Sequence, residues 1–186
     1  IKGVREEADG IVVSGEREGL TLEVRCDELL VAVGRAPNVE DLGLEVAAVE
    51  FDHSGVLVND RLQTTNSRIY AAGDIAPPLK FTHLADAHAA IVIQNALFFG
   101  RAKQSRLVVP WCTYTSPEIA HVGLYEKDAQ NLGHSTDLIT VPLEDVDRAV
   151  LDGESEGFLR VVLEKGKDRI LGATLVAEHA GEMIGG

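Results

Sequence analysis

The first part of the chain has short β-type runs separated by turn-forming residues. Val, Ile, Leu and Thr concentrate at residues 10–14 and 20–25, and the charged segment between these runs has the glycines that a hairpin needs. Residues 29–33 are continuously apolar, which is typical of a strand covered on both faces in a parallel sheet. A weak helical pattern follows at residues 39–50. These patterns predict a hairpin, a buried parallel strand and a helix.

The middle of the chain carries the longest predicted helix. Residues 51–59 indicate a strand, a turn and a second strand, and the apolar run at residues 69–72 is predicted to be another strand. A helix is predicted from about Leu84 to Phe99, since apolar residues recur at helical spacing and Gly100 stands where helix ends favour glycine. The other faces of this helix are rich in Ala, Ile and Val, so we expect burial on several sides.

The pattern in the last part of the chain predicts an antiparallel sheet with short helices. A basic, polar link at residues 101–107 separates this part from the middle of the chain, which suggests a domain boundary near residues 101–110. The strands are predicted at residues 111–115, 119–123, 138–142, 157–163 and 170–176, and the helices at residues 126–132 and from about residue 180. The expected fold class is α/β followed by an α+β layout.

Composition narrows the possible partners. The 186 residues carry a formal net charge of −13, which argues against nucleic-acid and anionic-membrane partners, because both need a basic face. The apolar runs are too short to span a bilayer, and charged residues interrupt any secretory signal at the start of the chain. We therefore expect a cytoplasmic protein. Ile1 opens the chain without a methionine and Gly185-Gly186 end it after a helix start, so both termini look like cuts.

The segment I-Y-A-A-G-D-I at residues 69–75 is the most informative motif. A strand that ends in small residues lets a ligand approach the backbone closely. Asp74 is then expected at the carboxyl end of that strand, where a carboxylate can accept hydrogen bonds from sugar-type hydroxyls. The same residues are equally compatible with a simple turn capped by the aspartate side chain.

Several motifs in order resemble the flavoprotein disulfide reductases, the family of dihydrolipoamide dehydrogenase, glutathione reductase and mercuric reductase. They are L-V-A-V-G-R-A-P-N at residues 30–38, G-V-L-V-N-D-R-L-Q-T-T at residues 55–65, the 69–75 segment, and Y-T-S-P-E-I-A-H-V-G-L at residues 114–124. The resemblance implies that Gly34 lies beside the nicotinamide nucleotide and that Gly73 and Asp74 hold FAD. It also implies that the helix start at Phe81, Thr82, His83 and Leu84 presents backbone N–H groups to the flavin.

The resemblance also implies a domain layout and a function. Residues 1–33 correspond to the end of the NAD(P)-binding domain, residues 34–107 to the second segment of the FAD-binding domain, and residues 108–186 to a dimerisation domain truncated at its C-terminus. The implied enzyme passes electrons from NAD(P)H through FAD to a cysteine pair, with a disulfide or mercuric ion as acceptor, and is a homodimer through residues 108–186. The alternatives are an NAD(P)H oxidase or peroxidase on the same fold, and a non-catalytic dimerisation module.

This sequence lacks the family motifs that contain the reacting groups. The chain has no G-x-G-x-x-G, no C-x-x-x-x-C and no His–Glu pair of the kind found near the family's C-terminus, so no catalytic residue is assigned. No metal site is expected either: His83 and His88 are five positions apart, which does not place two ligands on one helical face. Cys112 is interpreted as a buried apolar thiol and His121 as a structural or interface residue.

Overall fold

The computed structural model describes residues 1–76 and 78–185, which divide into two compact units, Ile1–Ala36 and Pro37–Gly186. The first unit contains an antiparallel sheet of three strands in chain order: β1 Gly3–Glu7, β2 Gly10–Arg17 and β3 Leu20–Cys26. Glu18 and Gly19 join β2 to β3 with positive φ angles of 54° and 79°, the conformation that a two-residue hairpin favours. The predicted hairpin is confirmed, and β1 was not predicted.

The apolar run at residues 29–33 is not a strand, and that prediction was wrong. Its side chains are largely exposed, with Leu30 at 88% and Val33 at 85%. A parallel strand needs neighbouring strands to take up its backbone hydrogen bonds. Within residues 1–76 and 78–185, no strand pairs with this run. Apolar composition alone therefore does not produce a strand.

The second unit begins with turns and a small hairpin. Residues 39–50 form turns rather than the predicted helix, because positive φ angles at Asp41, Gly43 and Ala48 interrupt a helical path. Strands β4 Phe51–Asp52 and β5 Gly55–Val56 then pair antiparallel, as the strand–turn–strand pattern predicted. Residues 69–72 form only an isolated bridge from Tyr70 to Gln63 instead of a strand. The core of this region contains Val49, Val56, Ala71 and Ala76.

Helix α1 spans Thr82–Leu97, close to the predicted helix. Its C-terminal turn is completed by Phe99 in the left-handed region (φ 53°), not by Gly100. Its buried residues are Leu84, His88 and Ile91, which follow one another at helical spacing along a single stripe. The prediction of burial on several sides was wrong, since within the helix Ile93 is 52% exposed and Leu97 is 69% exposed.

The last part of the second unit contains an antiparallel five-stranded sheet with short helices. The elements are β6 Trp111–Thr113, β7 Glu118–Gly123, α2 Glu126–Asn131, β8 Thr136–Pro142, α3 Asp147–Asp152, β9 Phe158–Glu164, β10 Ile170–Ala177 and α4 Ala180–Met183. The strand order in the sheet is β6-β7-β10-β9-β8. The predicted strands and helices follow in the predicted order, and the antiparallel α+β layout is confirmed. Helix α3 was not predicted. Ala120, Leu175, Ala177 and Ala180 form the core where α4 packs on β7 and β10.

Gly172 in β10 gives a direct test of this sheet. A Cβ atom at this position would lie 2.1 Å from the carbonyl oxygen of Leu124, where the register of β10 shifts. We expect Gly172→Ala to lower the free energy of unfolding by about 1–3 kcal/mol, because neither backbone segment can move away cheaply. Urea unfolding followed by circular dichroism measures the change. Gly185→Ala is the control, since a Cβ there meets nothing within 4 Å. Equal unfolding midpoints for the two variants would contradict the close contact of Gly172 with Leu124.

Candidate functional site

A tight 3₁₀ turn at Gly73–Ile75 packs against helix α1. Gly73 is buried with φ 78°, and a Cβ atom added to it would lie 3.1 Å from the Cβ of Ala85. Its N–H donates a hydrogen bond to Nδ1 of His88 at 3.3 Å, and its carbonyl oxygen accepts one from the N–H of Ala76 at 2.9 Å. A left-handed backbone in such close contact with a helix requires glycine.

Asp74 is half-buried within this turn. The residues before it are small: Ala71 is buried and Ala72 is exposed in extended conformation, with φ −137° and ψ 149°. Of the residues just before Asp74, Ala72 is the exposed one, and Ala71 and Gly73 are buried. The expected strand before Asp74 is reduced to the bridge at Tyr70, so a turn, rather than a strand end, carries the carboxylate.

The start of helix α1 is close in sequence to its contact with the turn, since Ala85 and His88, which contact Gly73, lie within its first two turns. Phe81 is the N-cap in extended conformation, and no side chain in the described part of the chain caps the helix there. The first intrahelical bond runs from the N–H of Ala85 to the carbonyl oxygen of Phe81 at 3.0 Å. The N–H groups of Thr82, His83 and Leu84 precede that bond and are thus the donors that a helix start can offer to a ligand.

The side chains at this helix start differ in exposure. Thr82 and His83 are exposed, Phe81 is half-buried, and Leu84 is buried in the helix stripe. The rings of Phe81 and His83 stack with their centroids 5.4 Å apart and their planes 13° apart. The two rings therefore form a stacked aromatic pair at the start of α1.

His88 is the site residue that sequence reasoning missed. It is 2% exposed, and burial lowers the pKa of its imidazole. Because Nδ1 accepts the Gly73 N–H, the neutral ring carries its proton on Nε2. The signal available in the sequence was its position four residues after Leu84 and three before Ile91, which places it on the buried stripe.

The seven predicted site residues fall in the two compact units. Gly34 belongs to the first unit, where it is exposed with φ 126°. The other six belong to the second unit, and α1 connects them: its first turn contains Thr82, His83 and Leu84 after Phe81, and Ala85 and His88 contact Gly73.

His121 and Cys112 do not form a site together. His121 pairs with Trp111 across the sheet, and its ring nitrogens bond Thr174 Oγ1 at 2.9 Å and the Gly123 carbonyl oxygen at 3.1 Å. The Tyr125 ring stacks on the His121 ring at 3.7 Å, which explains an aromatic residue at the N-cap of α2. Across residues 1–76 and 78–185, no group of three or more His, Cys, Asp or Glu side chains could hold a metal ion.

Two family models match the chain. Residues 1–92 match the model described as pyridine nucleotide-disulphide oxidoreductase, and residues 109–186 match the dimerisation domain of the pyridine nucleotide-disulphide oxidoreductases. Mercuric reductase from Staphylococcus aureus is 39% identical over 170 residues, which cover 91% of this chain and 31% of that protein. Dihydrolipoyl dehydrogenase from Bacillus subtilis is 33% identical over 177 residues, which cover 95% of this chain and 37% of that protein.

Solved structures agree with these matches. LpdA from Mycobacterium tuberculosis superimposes with a TM-score of 0.85 at 28% identity, covering 98% of this chain and 39% of that one. The HOCl-induced flavoprotein disulfide reductase RclA from Escherichia coli gives a TM-score of 0.82 at 29% identity, covering 98% of this chain and 41% of that one. The fold of this chain therefore agrees with that of LpdA and of the flavoprotein disulfide reductase RclA.

The chain belongs to the pyridine nucleotide-disulphide oxidoreductase family, as its motifs predicted. FAD and NAD(P)H are the cofactors that this family uses, in agreement with the cofactor prediction. The chain spans about a third of the length of the curated relatives that it matches. None of the described helices is long and apolar enough to cross a membrane.

Lowering the pH is expected to destabilise the second unit through His88. The pKa of the folded imidazole lies below the ordinary value of 6.5 because the ring is buried, so the unfolded chain takes up a proton first. The stability that the folded state gains from a neutral, buried His88 is fully present above pH 6.5. It is lost as the pH falls below that value. Urea midpoints at about pH 7.5, 6 and 5 should fall less steeply in His88→Asn, which cannot titrate. His121 is buried and has a lowered pKa in both proteins, so its effect cancels. If the urea midpoint fell equally with pH in the unmodified chain and in His88→Asn, the pH effect could not be assigned to His88.

Proposed function

We propose that the protein containing this chain is an FAD-dependent oxidoreductase that passes electrons from NAD(P)H through FAD to a cysteine pair. The acceptor is a disulfide or mercuric ion. The observation that carries the proposal is the turn at Gly73-Asp74, which packs through Gly73 on a helix whose first N–H groups have no side-chain cap in the described residues. Family membership and the similarity to mercuric reductase and dihydrolipoyl dehydrogenase support the same function.

The described residues fit a flavin nucleotide. FAD, when bound, accepts two electrons from a nicotinamide and passes them to an acceptor. Asp74 would accept hydrogen bonds from ribityl hydroxyls, and the small residues before it leave room for the chain of the ligand. The N–H groups of Thr82, His83 and Leu84 would donate to the electron-rich edge of the flavin, which the positive end of the α1 dipole also favours.

The proposal also includes a contact at the nicotinamide side and a set of domain limits. Gly34 would lie beside the nicotinamide nucleotide, where a glycine with φ 126° offers backbone without a side chain. The limits 1–33, 34–107 and 108–186 stay predictions, as does the cytoplasmic location.

The chain itself supplies no redox cysteine pair in this proposal. Its two cysteines, Cys26 and Cys112, are not arranged as C-x-x-x-x-C. The Cys112 thiol lies 3.7 Å from Oε2 of Glu118, and burial together with this carboxylate raises the pKa of the thiol, which makes it a poor nucleophile. The reacting cysteines and the acid–base His would therefore lie outside these 186 residues.

Replacement of Asp74 tests the proposed cofactor site. In the flavin-loaded protein, Asp74→Ala is expected to lower the FAD content per chain severalfold, because the ribityl hydroxyls lose a charged acceptor. The absorbance of flavin relative to protein after gel filtration measures the content, and circular dichroism checks the fold. Asp86→Ala is the matched control, since this aspartate is exposed on α1 outside the proposed contacts. Full flavin content in Asp74→Ala would refute the role of Asp74.

A second candidate function is a non-catalytic dimerisation module formed by these 186 residues alone. The match of residues 109–186 to the family's dimerisation domain favours it, together with the five-stranded sheet that those residues form. In either function, residues 108–186 would join two copies into a homodimer.

Purification of the 186-residue chain tests the second candidate function. We expect no flavin absorbance and no NAD(P)H oxidation, and a mass in solution that rises with concentration towards that of a dimer. Sedimentation measures the mass, and hydrogen exchange at low and high concentration should show added protection within residues 108–186. Stoichiometric flavin on the purified chain, or protection confined to residues 1–107, would contradict these expectations.

A further inference from the structure

His88 occupies an apolar stripe of α1 where a polar ring must be satisfied. Leu84 and Ile91 flank it on the same stripe, and its side chain is 2% exposed. It lines a recess of about 430 Å³ whose other side chains are apolar, such as Leu107 and Val109, except for Asp60, Gln104 and Ser105. Burial of an imidazole in such surroundings is costly unless its polar atoms are paired. The pairing that the structure provides is the bond from the Gly73 N–H to Nδ1.

The buried N–H of Gly73 also needs a hydrogen-bond partner, as the buried His88 ring does. Gly73 is buried, and a 3₁₀ turn, like any helix start, cannot satisfy its first N–H groups from within. A buried N–H without an acceptor costs about as much as a lost hydrogen bond. Gly73 is thus held by α1 in two ways, through the hydrogen bond to His88 and through close packing on Ala85.

We infer that His88 is a positioning residue for the proposed flavin site: its Nδ1 holds the Gly73 backbone and thereby fixes the direction of the next residue, Asp74. This inference rests on the proposed role of Asp74 in binding FAD. A rotation of the peptide at Gly73 would reorient the Asp74 carboxylate directly, since the two residues are joined. His88 itself is three residues beyond Ala85 on α1, on the side of the helix that faces the turn.

The position of the imidazole proton tests the geometry in the unmodified chain. Long-range nitrogen–proton correlation spectra of the 186-residue chain should show Nδ1 of His88 without a proton and Nε2 with one. The Gly73 amide should be protected from hydrogen exchange. A protonated Nδ1, or an unprotected Gly73 amide, would overturn the inference without any reference to flavin.

Two substitutions separate positioning from simple packing. His88→Leu fills the stripe but removes the acceptor, whereas the side-chain oxygen of His88→Asn lies as many bonds from Cα as Nδ1 does. We expect exchange of the Gly73 amide to rise roughly tenfold in His88→Leu, the factor that corresponds to one lost hydrogen bond. FAD content of the flavin-loaded protein should fall with it, and His88→Asn should restore most of both. Equal behaviour of the two variants would assign His88 to packing alone and overturn the inference.

Asp74→Asn, measured alongside, separates the positioning role of His88 from the proposed flavin-binding role of Asp74. If Asp74→Asn lowers FAD content and His88→Leu does not, the positioning role is overturned while the proposed function stands. If Asp74→Asn leaves FAD content unchanged, the proposed function of Asp74 fails and the positioning role falls with it, whatever the Gly73 amide does. Loss of FAD in Asp74→Asn and in His88→Leu, with recovery in His88→Asn, supports both the flavin-binding role of Asp74 and the positioning role of His88.

Discussion

The close approach of the Gly73 backbone to helix α1 constrains every other feature of the candidate site. It demands a residue without a side chain at position 73, a small residue at Ala85 and a hydrogen-bond acceptor at His88. The same contact ties the turn that carries Asp74 to the helix whose first N–H groups have no side-chain cap among the described residues. A carboxylate and a helix N-terminus are complementary groups for a ligand with both hydroxyls and an electron-rich ring.

The five-stranded sheet has a different role from this site. Strand β10 lies at its centre, between β7 and β9, and α4 closes over β7 and β10 through small residues such as Ala120 and Ala180. The N–H of Gly181 donates to Oε2 of Glu118 at 2.9 Å, which ties the start of α4 to β7. The family match assigns this region to dimerisation, so in the proposed function this chain supplies cofactor binding and association rather than the groups that react.

The differences between expectation and structure have a common cause. Residues 29–33, residues 39–50 and the outer faces of α1 were assigned from local composition, which predicts how a segment would behave if other segments covered it. In the described residues no strand pairs with the 29–33 run, and the face of α1 that bears Ile93 is open. The antiparallel strands from Trp111 to Ala177 were predicted well. Two of their pairings, β6 with β7 and β9 with β10, run through short turns, so those strands satisfy one another locally.

The sequence by itself determined the family, because the ordered motifs at 30–38, 55–65, 69–75 and 114–124 are specific as a set. The roles of the six site residues around the turn and the start of α1 stay predictions. It also determined the antiparallel sheet, through alternation and turn residues. Only the tertiary structure showed that His88 meets Gly73 and that Tyr125 stacks on His121. These contacts depend on the angle at which a helix or a turn packs against its neighbour, and no periodicity along the chain encodes that angle.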